Sequence, residues 1–206
     1  MDPIVYVVDD DNSVRQSLVR LLTAEEYRVA DFPSAEAFLA HGFSPDPACL
    51  ILDMNMPEAD GFSVTEALAK LGYLIPTIIL TGYGTIPPTV KAMKAGAYES
   101  MTKPAVPNLL LKAVADALKL AETKMGESRE MQTLKAHYAS LTPREQEVFS
   151  LAIGGLLNKQ IATALGVSEI TAKVHKKRVM EKMQVRSLTD LVRAAERLNI
   201  VKTQSR

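Results

Sequence analysis

The chain has 206 residues, 47% of them hydrophobic, with 24 basic and 24 acidic side chains: enough for two ordinary domains with real cores, and too evenly charged overall for net charge to mark a partner. The charge is uneven along the chain, with 15 acidic and 9 basic residues over 1–120 and 9 acidic and 15 basic over 121–206, so the first part suits a cation and the second a polyanion. Cys49 is the only cysteine, which excludes a disulfide framework and a cysteine-rich zinc site; no apolar run approaches the ~20 residues of a membrane helix, the start has no signal-peptide core, and the expectation is a cytoplasmic protein with no membrane partner.

The first element is a Val-rich run over 4–8 that stops at Asp9, Asp10 and Asp11. Asn12 is placed to cap a helix carrying Val14, Leu18, Leu21 and Leu22 on one face. The alternation repeats: strand 28–32 and helix 34–40, strand 49–52 and helix 62–71, strand 77–80 and helix 88–95, strand 98–101 and helix 107–123. Five such pairs predict a doubly wound five-stranded parallel sheet. The continuous runs Leu50-Ile51-Leu52 and Ile78-Ile79-Leu80 fit strands covered on both faces. Gly126 is the first interruption after residue 107, and 123–140, rich in charge pairs and poor in core positions, reads as a partly helical linker. From Leu141 on there is no strand signal. Thr142-Pro143 with Glu145 is a helix start, and helices over 158–165, 169–183 and 188–198 complete an all-α four-helix domain over 141–206.

In an open parallel sheet, ligands bind beyond the carboxyl ends of the strands where the strand order reverses. With the order 2-1-3-4-5, Asp9 and Asp10 after the first strand meet Asp53 at the end of the third. Three carboxylates at that distance need protons or a cation, and a hard divalent ion, Mg²⁺ first among them, fits an all-oxygen set. Thr81 ends the fourth strand and Lys103 follows the fifth, where Pro104 invites a cis peptide. Carboxylate nucleophile, metal, hydroxyl and ammonium together make a phosphoryl-transfer set, with Asp53 as acceptor.

Residues 1–122 resemble a two-component receiver domain, of flavodoxin-like fold, through Val8-Asp9-Asp10, Asp53-Met54-Asn55-Met56-Pro57 with Gly61, Thr81-Gly82, Lys91 to Ala97 and Lys103-Pro104. The resemblance implies that Asp53 is the phosphoacceptor, that Asp9, Asp10, Asp53 and the backbone carbonyl of Asn55 hold Mg²⁺, and that Thr81 and Lys103 read the phosphoryl group. One position departs: receivers usually carry Tyr or Phe three residues before the lysine, and this chain has Ser100, with Tyr83 and Tyr98 as the nearest substitute rings.

In the basic half, a short helix ending at Leu165, the turn Gly166-Val167-Ser168 and a helix from Glu169 read as helix-turn-helix, the second helix entering the major groove. Ile170, Val174, Val179 and Met183 are expected toward a core, with Lys173, Lys176, Lys177 and Arg178 elsewhere on that helix. Residues 141–198 resemble the LuxR/FixJ-type helix-turn-helix domain through Leu141-Thr142-Pro143-Arg144-Glu145, Gly155, Asn158 to Ala162, Leu165 to Ser168, Thr171 to His175 and Lys182-Met183. By that resemblance Lys173, Val174 and Lys177 face base edges, Asn158, Lys159, Thr171 and Lys182 touch phosphates, and the last helix, with Leu191, Ala195 and Leu198, is a dimerisation surface.

The two resemblances imply a response regulator of the NarL/FixJ family. Asp53 is phosphorylated by a sensor histidine kinase, the chain dimerises on activation, and it binds promoter DNA, with RNA polymerase as a further candidate partner. Its only enzymatic chemistry is slow self-phosphorylation from small donors and self-dephosphorylation. The alternative, prompted by Ser100, is a regulator of the same architecture that works without phosphorylation. A phosphohydrolase of the haloacid dehalogenase type needs an aspartate two residues after the nucleophile, where this chain has Asn55.

Overall fold

The computed structural model describes residues 2–56, 61–82 and 97–200. The helix expected over 88–95, Pro57, Tyr83 and most of the Lys91 to Ala97 motif lie outside the described residues. Two compact units divide the chain, Met1–Gly126 and Glu127–Arg206.

The first unit runs β1 (Ile4–Val8), α1 (Asn12–Ala24), β2 (Arg28–Phe32), α2 (Ala35–Ala40), β3 (Ala48–Asp53), α3 (Gly61–Lys70), β4 (Thr77–Thr81), β5 (Glu99–Thr102) and the start of α4 (Pro107–Ala139). The strands form one parallel sheet in the order β2-β1-β3-β4-β5. Alternate residues of each strand face opposite sides, and both sides are covered. Val5, Val7, Cys49, Ile51, Ile78 and Leu80 pack under α1 and α4 with Leu18, Leu22, Leu110 and Val114. Ile4, Tyr6, Val8, Leu50 and Leu52 pack under α2 and α3 with Phe38, Val64 and Leu68. Each such side chain stabilises the fold by about 1.5–3 kcal/mol relative to exposure, which is why β1, Ala48 to Leu52 of β3 and Ile78 to Leu80 of β4 are continuous apolar runs. Cys49 is fully buried, and burial pushes its thiol up to about 12.

Asp11, not Asn12, caps α1, its carboxylate accepting from the amides of Ser13 and Val14. Asn12 is the first helical residue and turns its side-chain oxygen to Arg15 instead, at 2.8 Å.

Helix α4 is unbroken from Pro107 to Ala139; the interruption expected at Gly126 does not occur. A Cβ at Gly126 would meet nothing within 4 Å, so this glycine is an exposed position costing about 1 kcal/mol of propensity, too little to end a helix anchored at both ends. The end of α4 contributes Leu134 and Tyr138 to the core of the second unit, where the Tyr138 ring meets Phe149 edge-on at 5.2 Å. That unit continues with α5 (Pro143–Ile153), α6 (Asn158–Leu165), α7 (Glu169–Lys182) and α8 (Leu188–Arg197). Thr142 and Glu145 close the expected capping box on α5. Gly166 ends α6 at φ +66°, a left-handed conformation that a side chain opposes, and Ser168 caps α7 through the amide of Thr171. These features build the tight turn between α6 and α7.

Two expectations about the helical core are corrected. Ala172, Val179 and Met183 are the buried face of α7, whereas Ile170 and Val174 are 78% and 44% exposed. At about 100° per residue, positions 170 and 174 lie roughly 160° around the helix from 172, so both groups cannot share one face, and the small Ala172 takes the closest approach. On α8, Leu191 and Ala195 are buried in the domain's own core with Leu198 partly buried beside them. Leu191 and Ala195 are therefore committed inside the domain's own core.

Candidate phosphoacceptor pocket and nucleic-acid interface

Parallel register carries the pocket residues to one edge of the sheet. Val8 pairs with Leu52, Asp53 with Leu80 and Thr81 with Thr102. Asp9, Asp53, Thr81 and Lys103 therefore sit at or one step beyond the carboxyl ends of four adjacent strands. The peptide before Pro104 is cis, and the Lys103 amide donates to the Thr81 carbonyl at 2.7 Å.

Lys103 Nζ lies 2.7 Å from Asp9 Oδ2 and 2.9 Å from Asp53 Oδ2. Both carboxylates are buried, while Asp10 is exposed. The remaining oxygens are also engaged: Asp9 Oδ1 accepts from the Asp11 amide at 3.0 Å and Asp53 Oδ1 from the Asn55 amide at 3.1 Å. Burial pushes the Asp9 carboxyl above its ordinary range, against the opposing pull of Lys103. Burial alone would lower the Lys103 ammonium, but its bonds to Asp9 and Asp53 outweigh this and hold it above its usual value. One oxygen from each of Asp9, Asp10 and Asp53 falls within 4.8 Å of the others. Three carboxylates and one ammonium leave two negative charges in excess, and the donors are all hard oxygens, so the set fits a divalent ion of the Mg²⁺ type. Thr81 is buried, its hydroxyl 3.5 Å from the Met101 carbonyl.

In the helical unit, Lys159, Lys173, Val174 and Lys177 are exposed, and Asn158 and Thr171 are half-buried. The Thr171 hydroxyl lies 2.8 Å from that of Ser168, and Lys177 has a 3.6 Å pair with Glu181 on its own helix, an exposed contact of little energy. Lys182 is placed differently from the phosphate contact expected of it. Its Nζ lies 2.6 Å from the buried Glu145 and 3.1 Å from the Ser140 carbonyl, bonds that compete with a phosphate.

Profiles of two families match this architecture: the response regulator receiver domain over residues 5–115 and the bacterial regulatory proteins of the luxR family over 139–195. The chain belongs to the NarL/FixJ family of response regulators. This regulator is 46% identical over 197 residues to the response regulator protein TmoT of Ectopseudomonas mendocina, covering 96% of this chain and 90% of that one. To the transcriptional regulatory protein FixJ of Rhizobium meliloti it is 38% identical over 196 residues, covering 94% and 95%. Among solved structures it is similar to response regulator StyR, with TM-score 0.86, 43% identity and coverage of 95% and 99%. No helix among the described residues is long and apolar enough to cross a membrane.

Two features of the regulator escaped the sequence reading. Arg15, buried on α1, donates to the Asp9 carbonyl at 2.7 Å, to Asn12 at 2.8 Å and to Asp31 at 3.0 Å, fixing the chain where it leaves β1. The available signal was an arginine in the same apolar stripe as Leu18 and Leu22. The other is the Glu145–Lys182 pair, which holds Glu145 below the usual carboxylate range, chiefly through the Lys182 hydrogen bond. The capping box explained Glu145 by itself and hid its partner.

Proposed function

We propose that this regulator is switched by phosphorylation of Asp53 by a sensor histidine kinase and that it reads promoter DNA through α7. The observation that supports the first half is the single ammonium of Lys103 held between Asp9 and Asp53, with Thr81 at the neighbouring strand end. Asp9, Asp10, Asp53 and the backbone carbonyl of Asn55 are the residues that would hold Mg²⁺, which when bound supplies Lewis-acid neutralisation of phosphoryl oxygens. A carboxylate oxygen of Asp53 attacks the phosphorus of a phosphohistidine. The P–O bond forms as the P–N bond breaks, and the departing imidazole nitrogen keeps the electron pair and takes a proton from water. Lys103 exchanges its bond with Asp53 for a phosphoryl oxygen while keeping Asp9, and the Thr81 hydroxyl turns from the Met101 carbonyl to donate to another. Small phosphodonors use the same geometry, and slow hydrolysis of the acyl phosphate resets it.

In the DNA-binding half, Lys173, Val174 and Lys177 face base edges, and Asn158, Lys159 and Thr171 lie toward phosphates. Activation brings two copies together on the promoter, where RNA polymerase is the next partner, and the protein works in the cytoplasm. Incubation with acetyl phosphate and Mg²⁺ adds one acid-stable, base-labile phosphate to the wild type and none to Asp53→Asn or in EDTA; equal labelling of Asp53→Asn overturns the assignment.

A second reading, regulation without phosphorylation, is favoured by Ser100, which is half-buried on β5 with a hydroxyl that finds no hydrogen-bond partner among the described residues. A serine there cannot supply the ~150–250 Å² that an aromatic ring buries, so phosphorylation has less to act on in biasing two states. Sedimentation and DNA titration with and without beryllofluoride, on wild type and Ser100→Tyr, separate the readings. A small wild-type response that grows in the Tyr variant supports the second; equal responses exclude it.

A further inference from the structure

Ile170, 78% exposed, is the most exposed large apolar side chain among the described residues, and it stands in the first turn of a strongly basic helix. Nothing in the fold asks for an isoleucine there. Ala172, Val179 and Met183 fill the buried face without it, a β-branched residue is no better than a polar one in helix propensity, and solvated helix faces are normally polar. One turn further on, Val174 extends the same exposed face. Around the helix axis this apolar pair is bracketed by Lys173 and Lys177 on one side and Arg178 on the other, all exposed. Charge complementarity names the occupant, because cations that flank an exposed apolar strip on a helix fit a polyanion carrying apolar groups in its floor. In the major groove the one apolar group on a base edge is the thymine C5-methyl.

We infer that Ile170, together with Val174, reads thymine methyl groups, making Ile170 a determinant of the regulator's DNA sequence preference. Four residues of helix advance ~6 Å and base pairs follow every ~3.4 Å, so the two side chains reach methyls about two base steps apart. The inference rests on α7 lying in the major groove, and it adds a residue and a recognised chemical group to that reading.

The test uses the full-length chain, with and without beryllofluoride and Mg²⁺, to enrich duplexes from a random pool. Each thymine of the enriched site is then replaced singly by deoxyuridine, which removes only the methyl. Wild type weakens about fourfold at each of two positions, the scale of one buried methyl. Ile170→Ala keeps the wild-type melting temperature, loses the methyl dependence at one of these positions and retains it at the other. Val174→Ala shows the converse. Uniform tolerance of deoxyuridine by the wild type, or full methyl dependence in Ile170→Ala, overturns the inference while leaving DNA binding intact. A pool with no enrichment under either condition overturns the major-groove reading itself.

Discussion

At the sheet edge, Asp9 and Asp53 are 1% and 5% exposed, and each has both oxygens engaged, with one lysine shared between them. On α7, Lys173 and Arg178 are exposed and make no ion pair among the described residues, and Lys177 makes one weak one. The contrast follows from the size of the partner. A small ion or phosphoryl group needs ligands fixed to within a fraction of an ångström before it arrives, which internal hydrogen bonds supply. A polyanion gains most of its binding from released counterions, so cations that meet it do best solvated and unattached. Lys103 and Lys182 are held by carboxylates of their own units, whereas Lys173 makes no ion pair among the described residues.

The most severe way to break this contrast is to remove the ammonium from the pocket. Lys103→Met leaves three carboxylates with no internal cation. Mg²⁺ should then bind more tightly by calorimetry, while phosphate incorporation from acetyl phosphate falls by about 10²-fold; unchanged incorporation would make Lys103 a mere spacer. On the helical side, Glu145→Gln should cost about 1–3 kcal/mol at neutral pH, read by native-state hydrogen exchange of α5 and α7. Because the folded carboxyl titrates below its ordinary value, its contribution is present above the unfolded pKa and is lost as pH falls through the folded one. The wild type should therefore weaken toward the mutant in acid, and a gap constant with pH would refute the ion pair's part in it.

Lysine exchange sharpens the same contrast. Lys173→Ala should cost about 1–3 kcal/mol on the enriched site, with relaxed preference and unchanged stability. Lys182→Ala should lower stability while leaving the salt slope of binding as it was. A salt slope reduced by about 1 in Lys182→Ala would restore the phosphate contact expected from sequence. The mildest change is Gly166→Ala at the turn, costing about 1–2 kcal/mol through its left-handed backbone, with base preference preserved.

What could be read from the sequence was whatever repeats or ends abruptly. The apolar runs of β1, β3 and β4 stop at Asp9, Asp53 and Thr81, and strand order does the rest, so the pocket followed from pattern alone. Helix α6 occupies the expected 158–165, and Gly166 of the expected turn marks its C-terminal end. What stayed hidden were pairings between distant positions and choices between two self-consistent faces. Lys182 meets a glutamate 37 residues away, and no local signal says so. Val179 and Met183 are buried as expected, but hydrophobicity favoured the larger Ile170 and Val174 over the small Ala172, which shares the buried face of Val179 and Met183. Gly126 looked like a break because propensity is local, whereas α4 is packed at Val114 and Leu118 before it and at Leu134 and Tyr138 after it.

Cys49 has a practical consequence for following this protein in solution. Burial pushes its thiol up to about 12 and leaves it no exposed surface, so Cys49 stays protonated at neutral pH and is shielded by the sheet. The native chain should therefore resist maleimides and iodoacetamide, as mass spectrometry after labelling would check. Any cysteine introduced on the surface, at Ile170 or Ser13 for instance, becomes its only labelling handle without prior removal of the natural one. Dyes or spin labels at such positions can then report on the pocket and on α7 in otherwise wild-type protein.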